Sequence, residues 1–328
     1  MKKILPLQTP FVTTFPKDAN AVSILLNYPE AYPWLMNCFI QLTCWGNQFL
    51  DYYDFHYRNC PLLEYQRVKK GLVGETAKEQ LEFIYSSLKQ GYYIMLPVKT
   101  KYISEYGFDS THDMLVYGYD ENDKFYIADN FANGVYRKGS CTRIELKQAV
   151  ENLSEHEYWY NGYRGTIEML SYNPEKRAVF EPYRIKESIQ DYLRSNTTKN
   201  WYVSYAMWDS NETENRCFGM QCYNALFKHL EKAKEGEDDT SSLRAFHLEY
   251  EHKKIMSLRL KWLNKNYGLN NSYLIQYKKI EEMASIALML YLKFKATYNL
   301  DIIKRINEIY QHIVEKEKQI LEKLLCEL

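Results

Sequence analysis

The sequence predicts an α+β protein, with a mixed N-terminal half built on an antiparallel sheet and a C-terminal half that is almost all helix. Three observations carry this. Short apolar runs between residues 92 and 170 follow one another without helix–strand alternation, the pattern of meander-like neighbours rather than of βαβ units. From about residue 180 onward, apolar residues recur at helical spacing. A length of 328 residues suits two domains of roughly 100–200 residues each. We place them at 1–175 and 176–328.

Ala19 to Asn27 reads as a helix with Asp18 as its N-cap. Pro33 to Cys44 reads as a second, because Pro33 suits a first helical position and Trp34, Leu35, Cys38, Phe39 and Leu42 recur at helical spacing. Gly46 would end it. Thr76 to Gln90 is a third, with Leu81, Ile84, Tyr85 and Leu88 on one face and Gly91 as its stop. Tyr92 to Val98 reads as a strand. Thr111 to Tyr119 and Phe125 to Asp129 read as two more, joined by the polar turn Asp120-Glu121-Asn122-Asp123. Gly134 to Tyr136 is extended, Ile144 to Leu153 is helical, and Thr166 to Leu170 is a strand. The second half reads as helices over Ile185 to Arg194, Phe218 to Lys232, Ser241 to Asn266, Ser272 to Tyr298 and Leu300 to Leu325. The last three are long enough for an antiparallel bundle, and Glu231 to Ser242 is a charged surface loop.

Lys+Arg and Asp+Glu both total 42, a neutral balance that argues against a general nucleic-acid binder. Apolar runs reach 18 residues nowhere, so no membrane span is expected. The start, Met1-Lys2-Lys3, has a signal-like charge pair, but Pro6, Gln8 and Pro10 interrupt the apolar core a signal peptide needs. We expect a cytoplasmic protein. Its seven cysteines are odd in number and scattered, which fits reduced thiols, and no CxxC or Cys/His spacing suggests zinc. The 31 tyrosines fit either amphipathic pocket walls or the residue usage of an AT-rich genome.

The best chemical constellation is His112 with Asp129. Strands of this length, paired antiparallel, bring the two together, and a carboxylate beside an imidazole fixes its tautomer and stabilises the imidazolium. Asn130 is a rival orienting group, and residue parity decides between them, because residues 129 and 130 point to opposite sheet faces. Cys38 would lie one turn into the 33–44 helix and Cys44 at its far end. Cys60 sits in the loop-like Asn59-Cys60-Pro61, where a thiol would be accessible. Each competes with the ordinary role of cysteine as a small buried hydrophobe. His247 and His252, five apart on a helix, fall on different faces, unlike an i, i+4 zinc pair. Packing is the better reading of both. His56 is held as a possible pocket residue.

The runs Gly91 to Lys99, Thr111 to Asp120 and Phe125 to Asp129, together with Tyr32 to Leu42, Phe218 to Leu226 and Phe246 to Leu260, resemble the family of butirosin biosynthesis protein H. That family looks like a branch of the papain-like cysteine protease superfamily. The resemblance implies a papain-like domain followed by a helical domain, and a Cys-His-Asp triad that moves an acyl group from a carrier-protein thioester to an amine. An amide-forming ligase of the closthioamide type is compatible with it. By this resemblance the catalytic residues would be Cys38, His112 and Asp129. The partners would be a carrier protein with its phosphopantetheine arm and a small-molecule amine. No ATP, metal or other cofactor is called for, because the thioester is already activated. In the papain-like pattern the nucleophile opens the first core helix, but Pro16-Lys17-Asp18 offers no cysteine there. The pattern's oxyanion glutamine precedes the nucleophile, whereas Gln41 follows Cys38. A cysteine peptidase and a non-catalytic papain-like binding protein are the alternatives.

Overall fold

The computed structural model describes residues 2–46, 49–153, 159–160, 163–164, 166–197, 216–237 and 240–328. Its helices are α1 (Pro16–Leu25), α2 (Tyr32–Leu35), α3 (Lys70–Val73), α4 (Ala77–Lys89), α5 (Arg143–Glu151), α6 (Pro182–Arg194), α7 (Tyr223–Glu235), α8 (Thr240–Tyr267), α9 (Asn271–Thr297) and α10 (Leu300–Leu324). Its strands begin with β1 (Lys3–Ile4), β2 (Leu42–Trp45), β3 (Phe49–Tyr52), β4 (Leu63–Lys69), β5 (Tyr93–Lys99) and β6 (Thr111–Tyr119). They continue with β7 (Lys124–Asn130), β8 (Tyr136–Thr142), β9 (Trp159–Tyr160), β10 (Tyr163–Arg164), β11 (Thr166–Tyr172) and β12 (Arg216–Phe218). The fold is therefore mixed α+β with antiparallel sheets and a helical C-terminal region. Among the described residues no helix is long and apolar enough to cross a membrane.

Contacts divide the chain into two compact units, one of residues 1–32 and 56–178, the other of residues 33–55 and 179–328. The sequence boundary at 175 lies near the crossing after Ala178, whereas the segment 33–55, expected in the first domain, is counted with the helical unit.

The first unit is built on a seven-stranded sheet of order β4-β11-β5-β6-β7-β8, with β1 added to β6. Strands β5 to β8 form a meander, and all of these pairings are antiparallel. Helix α4 begins with a capping box in which Thr76 and Glu79 satisfy each other's backbone amides, and α5 repeats the device with Thr142 and Glu145. Leu81, Ile84 and Leu88 of α4 and Leu146, Ala149 and Val150 of α5 are buried. Gly118 has a structural reason: a Cβ there would lie 2.7 Å from the Lys3 carbonyl oxygen, so only glycine admits β1. Helix α1 starts at Pro16 after the extended Phe15, not at Asp18, which lies buried in its first turn. Pro16 suits that first position because its missing N–H would have no partner there.

In the second unit α9 packs against both α8 and α10, its neighbours in sequence. The stripe Ile302, Ile303, Ile306, Tyr310, Ile313, Ile320, Leu321 and Leu324 of α10 is buried at helical spacing. The expected helix 33–44 is corrected. It stops at Leu35, and the chain continues through an irregular segment into β2, which pairs with β3 and β12. The reason lies in where the backbone groups go. Arg259 of α8 donates to the carbonyls of Met36 and Cys38, His252 donates to that of Ile40, and Asp54 accepts from the amides of Ile40 and Gln41. Phe39 adopts a left-handed φ of 63°, which a helix does not contain. Helical spacing of apolar residues was present; the helical hydrogen bonds were taken by side chains distant in sequence.

Candidate active site

His112 is the second residue of β6 and Asp129 is the penultimate residue of β7. Val116 faces Ile127 across the ladder, and stepping by two along each strand keeps His112 and Asp129 on that same face. Their side chains meet. Nδ1 of His112 lies 2.7 Å from Oδ2 of Asp129. A carboxylate on Nδ1 selects the tautomer protonated there, so Nε2 is the basic nitrogen. Asn130 points the other way: its side-chain amide donates to the Thr13 carbonyl at 2.9 Å. Parity therefore puts Asp129, and not Asn130, against the imidazole.

Asp129 is fully buried. Burial raises its pKa, against the bond to His112, the Tyr106 hydroxyl and the Asn130 amide, all of which favour the charged form. Tyr106, also fully buried, donates to the same Oδ2 as His112, and the Asn130 N–H donates to Oδ1 at 2.7 Å. The imidazole itself is partly exposed, with 27% of its side-chain surface accessible. Tyr106 and Phe108 meet it edge-on at ring separations of 5.8 and 6.1 Å.

The segment carrying Tyr106 and Phe108 is tied down at several points. Thr100 Oγ1 donates to the Phe108 carbonyl at 2.7 Å and accepts from the Ser110 amide at 2.8 Å. Glu105 pairs with Arg137 at 2.6 Å, and Glu145 of α5 accepts from the Ser104 amide. Sequence reading missed Tyr106, whose only signal is an aromatic in the connection leading to the histidine strand. It also missed Asp113, which follows His112 on the opposite sheet face. Burial and then the charge of Asp129 push its carboxyl up to about 7.

The cysteines are placed differently from expectation. Cys38 is buried, lies beyond the end of α2 rather than one turn into a helix, and its thiol donates to the Trp34 carbonyl at 3.4 Å. It belongs to the second unit, whereas His112 and Asp129 belong to the first. Cys44 is a buried residue of β2, not a helix end. Cys60 is buried rather than accessible, because it follows a tight 3-10 turn at Tyr57–Asn59, and burial pushes its thiol up to about 12. Cys141, the other thiol of the first unit, is buried in β8 and is likewise raised by desolvation.

Gln41 is spent on structure, its side-chain amide donating to the Asn196 carbonyl at 2.8 Å. His252 is a packing residue: Nε2 donates to Ile40 O at 2.9 Å and Nδ1 accepts from Lys253 at 3.0 Å. His247 lies 3.9 Å from Glu251. His56 is half-buried just before the 3-10 turn. Among the described residues, no group of three or more His, Cys, Asp or Glu side chains could hold a metal ion. Compared with known proteins, the chain matches no family model and none of the curated proteins.

Proposed function

We propose that this protein transfers an acyl group from a carrier-protein thioester to an amine, with His112 as the general base and Asp129 as its orienting carboxylate, on a papain-like domain. The observation that carries the proposal is the 2.7 Å bond between a fully buried carboxylate and a partly exposed imidazole, both mounted on rigid sheet strands. A base must hold one tautomer, tolerate a positive charge and reach a substrate, and this pair meets all three needs.

In the reaction His112 takes a proton through Nε2 from the attacking group as that group adds to the thioester carbonyl. Collapse of the tetrahedral centre breaks the C–S bond, and His112 returns the proton to the leaving pantetheine sulfur. Asp129 stays ionised and stabilises the imidazolium between the two transfers. Nothing in this sequence consumes ATP, since the thioester carries the activation. The donor would be an acyl or peptidyl carrier protein and the acceptor a small-molecule amine.

Two routes share this base. In one, the Cys38 thiol accepts the acyl group and the amine then removes it. In the other, the amine attacks the thioester directly. The burial of Cys38 and the engagement of its thiol with Trp34 favour the second. A non-catalytic binding role draws on one observation, the absence of any cysteine at Pro16-Lys17-Asp18 where α1 begins.

Intact-mass analysis with a panel of acyl-pantetheine thioesters and a primary amine separates these readings. Amide product without an acyl adduct supports direct attack. An adduct lost in Cys38→Ala supports the covalent route, and one that persists there removes Cys38. No amide across the panel, with thioester binding retained, supports the binding role and contradicts the proposal.

A further inference from the structure

Three of the second unit's cysteines that the proposed reaction does not use come together in the fold. Cys44 of β2 and Cys217 of β12 are direct partners in an antiparallel ladder, so they lie side by side on one sheet face. Opposed residues in such a ladder have Cα atoms about 4.5–5.5 Å apart, within the roughly 4.4–6.8 Å that a disulfide spans. Cys222 reaches the same place from the turn before α7, its thiol lying 3.7 Å from the Cys217 carbonyl. The turn is shaped for this approach. Gly219 has a φ of 53°, and a Cβ there would sit 2.2 Å from the Tyr192 carbonyl oxygen.

The three thiols are not equivalent. Cys44 and Cys222 are buried, whereas Cys217 is half-buried and open to a small reagent. The neighbouring Cys222 and then Cys44 thiols lower the pKa of the Cys217 thiol, and the charge of Lys228 helps. Cys222 moves the other way, raised by burial, by its neighbour Cys217 and by Glu249 of α8. One sulfur is thus set up as the nucleophile, with the buried Cys44 and the raised thiol of Cys222 beside it.

We propose that Cys44, Cys217 and Cys222 form a redox site in which Cys217 reacts with hydrogen peroxide and Cys44 then closes a disulfide onto it. The Cys217 thiolate attacks a peroxide oxygen, the O–O bond breaks, and with one proton from solvent the products are a sulfenic acid and water. The Cys44 sulfur attacks the sulfenic sulfur, its thiol proton leaves with the departing hydroxide as a second water, and the S–S bond forms. The two electrons lost by the thiols reduce the peroxide. Cys222 holds the Cys217 backbone in place by donating its S–H to that residue's carbonyl. The inference is independent of the acyl-transfer reading, because it rests on β2, β12 and the start of α7 alone.

The test uses the reduced full-length chain. After brief treatment with hydrogen peroxide and alkylation, we expect two fewer alkylated thiols than in the untreated chain and a Cys44–Cys217 linked peptide that dithiothreitol reverses. In Cys44→Ser, dimedone should trap the sulfenic acid at Cys217. Cys222→Ser should keep the link but form it more slowly. Limiting iodoacetamide on the unmutated chain, near pH 6, should label Cys217 about tenfold faster than the exposed Cys326, a comparison that needs no variant to fold. Labelling of Cys326 ahead of Cys217, a Cys217–Cys222 link in place of the proposed one, or no internal disulfide at all would overturn the inference.

Discussion

Two buried carboxylates in this molecule hold tyrosine hydroxyls and a nitrogen base, yet they do opposite work. Asp129 of the first unit pairs with His112, whose ring is partly exposed. Glu317 of the second unit pairs with Lys253, and both are fully buried. Lys253 reaches the two oxygens of Glu317 at 2.9 and 3.0 Å and also lies 2.6 Å from Glu249. Tyr192, Tyr223 and Tyr277 donate to Glu317 from three other helices. Burial opposes ionisation of Glu317, but the charge of Lys253 and the tyrosine hydroxyls outweigh it and hold its pKa low. Glu249, sharing the same ammonium, is pushed up by burial. What separates the sites is access. A carboxylate whose basic partner reaches solvent can pass a proton on, whereas one enclosed by a lysine and three phenols joins α6, α7, α8, α9 and α10.

This contrast can be broken from either side. Asp129→Asn should leave the fold intact and slow amide formation by about 10²–10⁴, since the orienting charge and the tautomer are lost together. Steady-state kinetics with an acyl-pantetheine donor read the effect. Lys253→Met should act on stability instead, costing about 3–5 kcal/mol in denaturant unfolding, because two carboxylates are left buried without their counter-charge.

The acid limb of the stability profile provides a further test. His252 is fully buried, and burial, followed by the charge of Lys253, depresses its pKa to about 3. The unfolded chain takes up this proton below the ordinary histidine value while the folded chain refuses it. Stability is therefore full above about pH 6.5 and falls as the pH drops towards 3, by a few kcal/mol in all. Asp54 has the opposite sign: burial raises it to about 6, so its contribution is lost as the pH rises from 3.8 through 6. The two oppose one another in that range. His252→Gln, which keeps a donor for Ile40, should flatten the loss below about pH 4, where Asp54 no longer titrates. Tyr106→Phe is the mildest change. Losing one hydroxyl donor to Asp129 should cost about 1 kcal/mol, seen as a slowing of no more than about tenfold.

The helices from α4 onward and the strands β5, β6, β7 and β11 were legible in the chain, and so was the central pair. Continuous apolar runs marked β6 and β7, and parity predicted that only one of Asp129 and Asn130 could face His112. What was not legible depended on partners far away in sequence. Residues 33–44 carry helical apolar spacing, but Arg259, His252 and Asp54 claim their backbone groups. Strand β2 pairs with its neighbour β3 on one side and, on the other, with β12 from far along the chain. The same pairing places Cys44 beside Cys217, which no local spacing announces. Glu317 did leave a trace, as a charged residue within the apolar stripe between Ile313 and Ile320 of α10. Such a position asks for a buried counter-charge, and Lys253 at the heart of α8 supplies it.

The central claim is that His112 handles the proton in acyl transfer. Its most direct test is the rate of amide formation from an acyl-pantetheine thioester by His112→Ala, beside the unmutated chain, with folding checked by circular dichroism. The account predicts a folded variant slowed by at least about a hundredfold. A folded variant with an unchanged rate would contradict it.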